Sequence, residues 1–236
     1  DAACDWSSDV CSSDLSAFSA AMQLAALAAV VSYFWRDVRQ VVTGSIGAVR
    51  QGDYNNQWFK LAVAIVLATI PIGIAGLALS STLNACNSPL RGLMVIGIAC
   101  VVMAVLLAAA ELSARHTRKV SEMRLRDALI VGIAQIGALI PGVSRSGSTL
   151  TAALFLNFKR EEAARFSFLL GLPAIALAGL KELWVLLHAD MPAHAWPHLL
   201  FGLVVASVSA FFAIWGLMKF LRSEEHTSEL QSHAAS

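Results

Sequence analysis

Five apolar stretches, each close to the length a helix needs to cross a bilayer, constrain this chain more than anything else in it. They run Phe18 to Trp35, Leu61 to Leu79, Gly92 to Ala110, Phe166 to Leu187 and Leu199 to Leu221. About 20 apolar residues at ~1.5 Å each cover ~30 Å of hydrocarbon, and no water is available there to satisfy backbone N–H and C=O groups. With 57% hydrophobic residues and a mean hydropathy of +0.67, the expected fold class is all-α, a polytopic membrane helical bundle. Trp35, Trp58, Trp184 and Trp196 fall at or near the ends of these stretches, where indole rings favour the interface.

Basic residues gather in particular loops. Arg36, Arg39, Arg50 and Lys60 occupy one, Arg115, Arg118, Lys119, Arg124 and Arg126 the next, and Lys159, Arg160 and Arg165 a third. Ser80 to Arg91 has one positive residue at its edge, and His188 to His198 has no Lys or Arg. Basic loops stay in the cytoplasm, which predicts one consistent orientation along the chain. The charge is accounted for as topology, and no nucleic-acid partner is indicated.

The region Ala128 to Phe158 breaks this rhythm. Ala128 to Ile140 makes only ~20 Å of helix, and Leu150 to Phe158 is shorter still. Both flanks are basic, so the chain is expected to enter and leave on the same side. Parity also permits two full crossings, but length argues against them. The spacing predicts a re-entrant helical hairpin with PGVSRSGST, Pro141 to Thr149, at its tip. Such broken backbone is tolerated when buried in protein or lining a wet cavity.

Pro141 ends the first half-helix, because it lacks an N–H and disfavours helix in the residue before it. Gly142 and Gly147 permit a tight path, and Ser144, Ser146, Ser148 and Thr149 supply hydroxyls and caps. Free N–H groups at a helix start make an anion site, to which Arg145 adds a fork matching paired phosphate oxygens. Two plainer readings stand beside this. Ser, Gly and Thr also serve close packing in membrane helices, and Arg145 can pair with a buried carboxylate. An arginine at depth costs at least ~2.5–3.5 kcal/mol and needs a partner, yet no acidic residue lies near it in the hairpin, which favours an external anion.

GIAQIGALIPGVSRSGST (Gly132 to Thr149), then Arg160 and AARFSFLLGLP (Ala163 to Pro173), closely resembles the bacterial undecaprenyl-diphosphatase family, also called the bacitracin-resistance protein. MQLAALAAVVSYFWR (Met22 to Arg36), LATIPIGIAGL (Leu67 to Leu77) and the AAE ending at Glu111 are similar to that family in the same order. The resemblance implies hydrolysis of undecaprenyl diphosphate to the monophosphate, recycling the lipid carrier of peptidoglycan synthesis, in a multi-pass enzyme of the bacterial inner membrane. It also implies an inverted-repeat architecture with two re-entrant hairpins. Arg145 and Ser144 become the expected catalytic residues, with Ser146, Thr149, Gly142 and Gln135 binding substrate. A polyprenyl diphosphate and the bilayer are the expected partners; no cofactor is firmly implied, and a divalent cation is left open. The alternative is a transporter or flippase of a phosphorylated polyprenyl lipid.

The ends read differently. Asp5 to Leu15 (DWSSDVCSSDL) and Arg222 to His233 (RSEEHTSELQSH) are encodable by opposite strands of one DNA string, a common sequencing adapter. Residues 1–15 and 222–236 are therefore expected to be non-native, with the phosphatase domain, as a fragment, over 16–221. Ser16 to Leu221 holds 16 Lys+Arg against 9 Asp+Glu, a balance of about +7, and only Cys86 and Cys100 remain as small buried apolar residues rather than a disulfide framework. The family's other motif, a Glu-rich segment leading into PVSSxGH, belongs upstream of Met22, whereas this stretch has no Glu before Glu111 and no His before His116. One re-entrant motif, the acid/base carboxylates and the last spanning helix are thus expected to be missing. Loss of an acid or base costs ~10²–10⁴ in rate, so the chain itself is expected to be inactive. His188, His194 and His198 with Asp190 suggest a metal only faintly, and His116 reads as surface. Lys181 and Glu182 either snorkel or face a polar cavity.

Overall fold

The computed structural model describes residues 22–79, 92–188 and 195–234, with side chains at 181–182, 185–187, 195 and 224–234 outside that description. Apart from one isolated bridge, every regular element in these residues is helical. The order is α1 (Met22–Tyr33), α2 (Trp35–Gln51), α3 (Gln57–Ala78), α4 (Leu93–Ser113), α5 (Leu125–Gln135), α6 (Arg145–Phe155), α7 (Arg160–His188) and α8 (Ala195–Ala234). Single 3-10 turns occupy Val120–Glu122 and Ile136–Leu139.

Four segments are long and apolar enough to cross a membrane: Gln57–Ala78, Leu93–Ser113, Arg160–Leu180 and Trp196–Ser223. Only 6% of the α4 window is buried, and Leu93, Val101 and Val105 point outward from it. A helix that is apolar all round yet unburied by protein needs lipid around it. The protein is a multi-pass membrane protein. Of the first expected span, the described part is Met22–Tyr33, and its earlier residues lie outside the described region.

Several boundaries depart from the sequence reading. Arg36 to Lys60, read as a basic loop, is mostly α2, whose exposed Val42, Ile46 and Val49 recur as in a helix lying in the interface. α2 meets α3 closely: a Cβ on Gly44 would stand 2.8 Å from Trp58 Cβ. The second half-helix starts at Arg145 rather than Leu150, because Ser144 caps it there. α8 continues as helix to Ala234, through the stretch expected to be non-native. Cys100, expected to be buried, is exposed on α4; Cys86 lies outside the described residues.

The chain divides into two units. One contains residues 1–35 and 172–217, and α1 there buries Ala25, Ala29 and Val30 and sets Tyr33 edge-on to Phe211 at 5.9 Å. The other contains residues 36–171 and 218–236 and holds the hairpin. Its core joins Ala64 and Ala68 of α3, Ala110 of α4, Ala128 and Val131 of α5, Ala153 and Leu154 of α6, and Phe158, Phe166 and Leu170 beyond. Small residues let backbones approach: a Cβ on Gly132 would lie 2.5 Å from the Ala68 carbonyl oxygen. The half-helices α5 and α6 are thus held between α3 and α4.

Candidate functional site

The hairpin is built from its base upward. Asp127, in the first turn of α5, accepts the Arg124 N–H at 3.0 Å and Arg118 Nη2 at 2.5 Å. Burial alone would raise this carboxyl's pKa, but the Arg118 hydrogen bond, the Arg124 N–H and both positive charges outweigh it, and the result lies below the usual carboxylate value. Arg118 also donates from Nη1 to the Leu156 carbonyl at 3.1 Å and lies over the Phe158 ring at 4.6 Å. Its backbone N–H donates to the Asn157 carbonyl, and its carbonyl accepts from Lys159. Asn157 takes a left-handed φ of +65°, and its Oδ1 accepts the Arg115 N–H at 2.8 Å. Both ends of the hairpin are therefore clasped at one side. Each half-helix has 11 residues, about 16 Å and roughly half the hydrocarbon thickness.

The tip forms because α5 cannot continue through Pro141. It tightens into the 3-10 turn at Ile136–Leu139, and Ile140, preceding proline, is extended. Gly142 has φ +96°, and a Cβ on it would stand 2.7 Å from the Ile96 carbonyl oxygen of α4. Cys100 Sγ lies 3.4 Å from the Gly142 carbonyl, so Gly142 is where the tip is pressed against α4. Ser144 then caps α6, its Oγ accepting the Gly147 N–H at 3.2 Å. The Ser148 N–H goes to the Ser144 carbonyl. Among the described residues, the N–H groups of Arg145 and Ser146 have no such acceptor, as the start of a helix dictates.

Ser144, Arg145 and Ser146 therefore share one turn, with the two serine hydroxyls 3.4 Å apart. Arg145 is half-buried, and its guanidinium has no hydrogen-bond or ion-pair partner among the described residues. Thr149 sits elsewhere. It is buried, and its hydroxyl donates to the carbonyls of Arg145 at 3.0 Å and Ser146 at 3.2 Å, which removes it from the proton donors of the tip. Gln135, at the end of α5, is fully buried, and neither its amide nitrogen nor its oxygen has a partner among the described residues. A buried amide so placed costs ~1–3 kcal/mol, a penalty usually explained by a ligand, water or function.

Sequence reasoning missed a cavity of about 330 Å³ beside the tip, lined by Met103 and Leu106 of α4 with Gly137, Val143, Ser148 and Phe155 of the hairpin. Ser148 returns its hydroxyl to the Arg145 carbonyl at 3.0 Å, and Thr151, also in the lining, returns its own to Gly147 at 2.8 Å, so the walls are effectively apolar. The recurrence of Ser148, Thr151, Ala152 and Phe155 on one face of α6 was the available signal.

Two other expectations change. His116, read as surface, has φ +49° and a side chain 18% exposed, with Nε2 3.6 Å from Glu111, which Arg160 also holds. His188 Nδ1 contacts the Trp184 carbonyl at 2.9 Å and its ring lies against Trp184, while His194 and Asp190 lie outside the described residues. No three metal-ligating side chains group together among the described residues.

The family model described as Bacitracin resistance protein BacA matches residues 4–228. Undecaprenyl-diphosphatase 2 of Mesorhizobium japonicum is 70% identical over 206 residues, covering 87% of this chain and 78% of that protein. The undecaprenyl-diphosphatases of Gloeobacter violaceus and Synechococcus elongatus are 49% and 46% identical, each over 88% of this chain and 71% and 72% of their own lengths.

Proposed function

Because the chain belongs to the bacitracin resistance protein family, we propose that its function is to remove the terminal phosphate of undecaprenyl diphosphate in the bacterial inner membrane. The product, undecaprenyl phosphate, returns as the lipid carrier of peptidoglycan synthesis, and bacitracin resistance follows from the same reaction. The observation carrying this reading is the guanidinium of Arg145, without a protein partner among the described residues, on the first turn of a helix capped by Ser144. A half-buried cation beside free N–H groups matches a compact, highly charged anion. The apolar cavity bordered by Val143 and Ser148 suits the first isoprene units of the same molecule.

In this reading, an oxygen nucleophile attacks the terminal phosphorus, the bond to the bridging oxygen breaks, and the polyprenyl monophosphate leaves. Arg145 and the N–H groups of Arg145 and Ser146 hold the non-bridging oxygens and offset the charge that builds on them. Ser144 keeps a proton to donate while its oxygen caps α6, and Ser146 adds a second hydroxyl. Gln135, buried at the end of α5, keeps an uncommitted amide. No carboxylate or imidazole among the described residues pairs with Arg145, and we assign the activation of the nucleophile to a group outside them.

The test uses the purified chain in detergent with undecaprenyl diphosphate. Binding is expected, and Arg145→Ala is expected to weaken it about 100-fold, the ~2–5 kcal/mol scale of a truncated charge pair, with membrane insertion unchanged. Equal binding by Arg145→Ala refutes the site. Phosphate release that Arg145→Ala leaves unchanged refutes a role for Arg145 in turnover. Transfer of the lipid between leaflets of sealed vesicles without phosphate release would instead establish a flippase.

A further inference from the structure

A second cavity, of about 190 Å³, lies beside the clasped base of the hairpin and plays no part in the chemistry above. Its volume suits a small molecular group rather than one or two waters. Three elements form it: the start of α3 with Trp58 and Leu61, the turn carrying Lys119 and Ser121, and α7 with Glu162, Arg165, Phe166 and Leu169. One part is charged and the other apolar. Two membrane-crossing segments, Gln57–Ala78 and Arg160–Leu180, both begin here, which puts the cavity at the level where lipid headgroups meet acyl chains.

The charges are specific in their arrangement. Arg165 is oriented by Asp37, donating from Nε at 3.2 Å and from Nη2 at closer range, so Nη1 is left for another acceptor. Glu162 accepts the Val120 N–H at 3.0 Å through one carboxylate oxygen. Lys119 is exposed, and its ammonium has no partner among the described residues. Lys119 and Arg165 face the carboxylate of Glu162 across the lining, Asp37 engages Arg165 and Glu122 accepts the Lys119 backbone N–H at 3.2 Å, so both signs of charge meet here and the positive side chains are offset. A net anion gains little Coulomb energy in such a setting, whereas a group carrying both signs meets a complement for each.

We propose that this cavity binds the zwitterionic headgroup of an aminophospholipid of the phosphoethanolamine type. Its phosphate faces Lys119 and Arg165, its ammonium faces Glu162, and the first acyl carbons cover the partly exposed Trp58 and Leu61. Basic pockets between membrane-spanning helices are recurrent sites for phospholipid headgroups. The carboxylate distinguishes this one, and it shifts the preference from anionic to zwitterionic lipid.

The experiment is thermal unfolding of the full chain, purified in detergent and stripped of lipid. Dioleoylphosphatidylethanolamine, dioleoylphosphatidylglycerol and soluble phosphoethanolamine are added in parallel. The ethanolamine lipid is expected to raise Tm by about 5 °C at saturation, with the glycerol lipid and the soluble headgroup each giving less than about a fifth of that. Lys119→Ala and Glu162→Gln are both expected to lose most of the lipid-induced rise while unfolding near the parent temperature without lipid. Equal shifts from the two lipids, or a full shift from the soluble headgroup, would overturn the proposal. So would the absence of any shift, or an undiminished rise in both variants.

Discussion

Replacing Gly132 with alanine probes the packing that holds the hairpin in place. The added Cβ would meet the Ala68 carbonyl oxygen at 2.5 Å and Ala68 Cα at 2.6 Å. Neither is the movable end of a side chain, so relief requires α5 to retreat from α3. Reaching an ordinary contact of about 3.4 Å means a displacement of about 0.9 Å along an interface that also holds Ala64, Ala128 and Val131. Overpacking of this kind costs ~1–3 kcal/mol, and contact with rigid backbone puts it at the upper end. Alanine's helix propensity returns about 1 kcal/mol. The net loss is about 2 kcal/mol, a ~30-fold fall in the folding equilibrium and a Tm lower by about 4–8 °C. Gly97→Ala in α4 is the control, since nothing lies within 4 Å of its Cβ, and it is expected to gain up to about 1 kcal/mol from propensity alone. The assay is unfolding in detergent followed by far-ultraviolet circular dichroism. Equal midpoints for the two variants would refute the close α3–α5 approach.

Gln135→Met is expected to raise the unfolding midpoint, because it removes an unpartnered buried amide that costs ~1–3 kcal/mol, while weakening capture of the diphosphate lipid; a less stable variant argues against the isolated amide. Asn157→Ala should cost about 1–2 kcal/mol, since it forces φ +65° on alanine and drops the Arg115 contact, and Asn157→Gly should recover the backbone part in the same unfolding assay. The Asp127 carboxyl lies below its unfolded pKa near ~3.9, so its stabilisation is complete above that pH and drains away as pH falls through the lower folded value. Asp127→Asn should therefore be less stable at pH 7 and show a flatter acid limb; parallel acid limbs in a pH series would contradict the pairing with Arg118.

Membrane residence and the spanning helices were legible in the residues, because hydrocarbon thickness sets a length and apolar side chains either reach it or fall short. The break at Pro141 and the Arg145 turn were legible for a similar local reason: proline removes a donor whatever surrounds it. Where neighbours decide, the sequence reading went astray. Apolarity resumes only at Leu150 and four hydroxyl residues before it are all possible caps, but it is Ser144 that caps the helix, drawing Arg145 and Ser146 into its first turn. The family resemblance implies Thr149 as a ligand; in the fold its hydroxyl hydrogen-bonds backbone carbonyls one turn back.

Chemical character and span length were thus set by the order of residues alone, since both depend on side-chain type and helix rise. Which hydroxyls stay free, which glycine separates two backbones and where cavities open were decided only in three dimensions. Those properties depend on distances between residues far apart in the chain, such as Gly132 and Ala68 or Cys100 and Gly142, and no local pattern encodes such a distance.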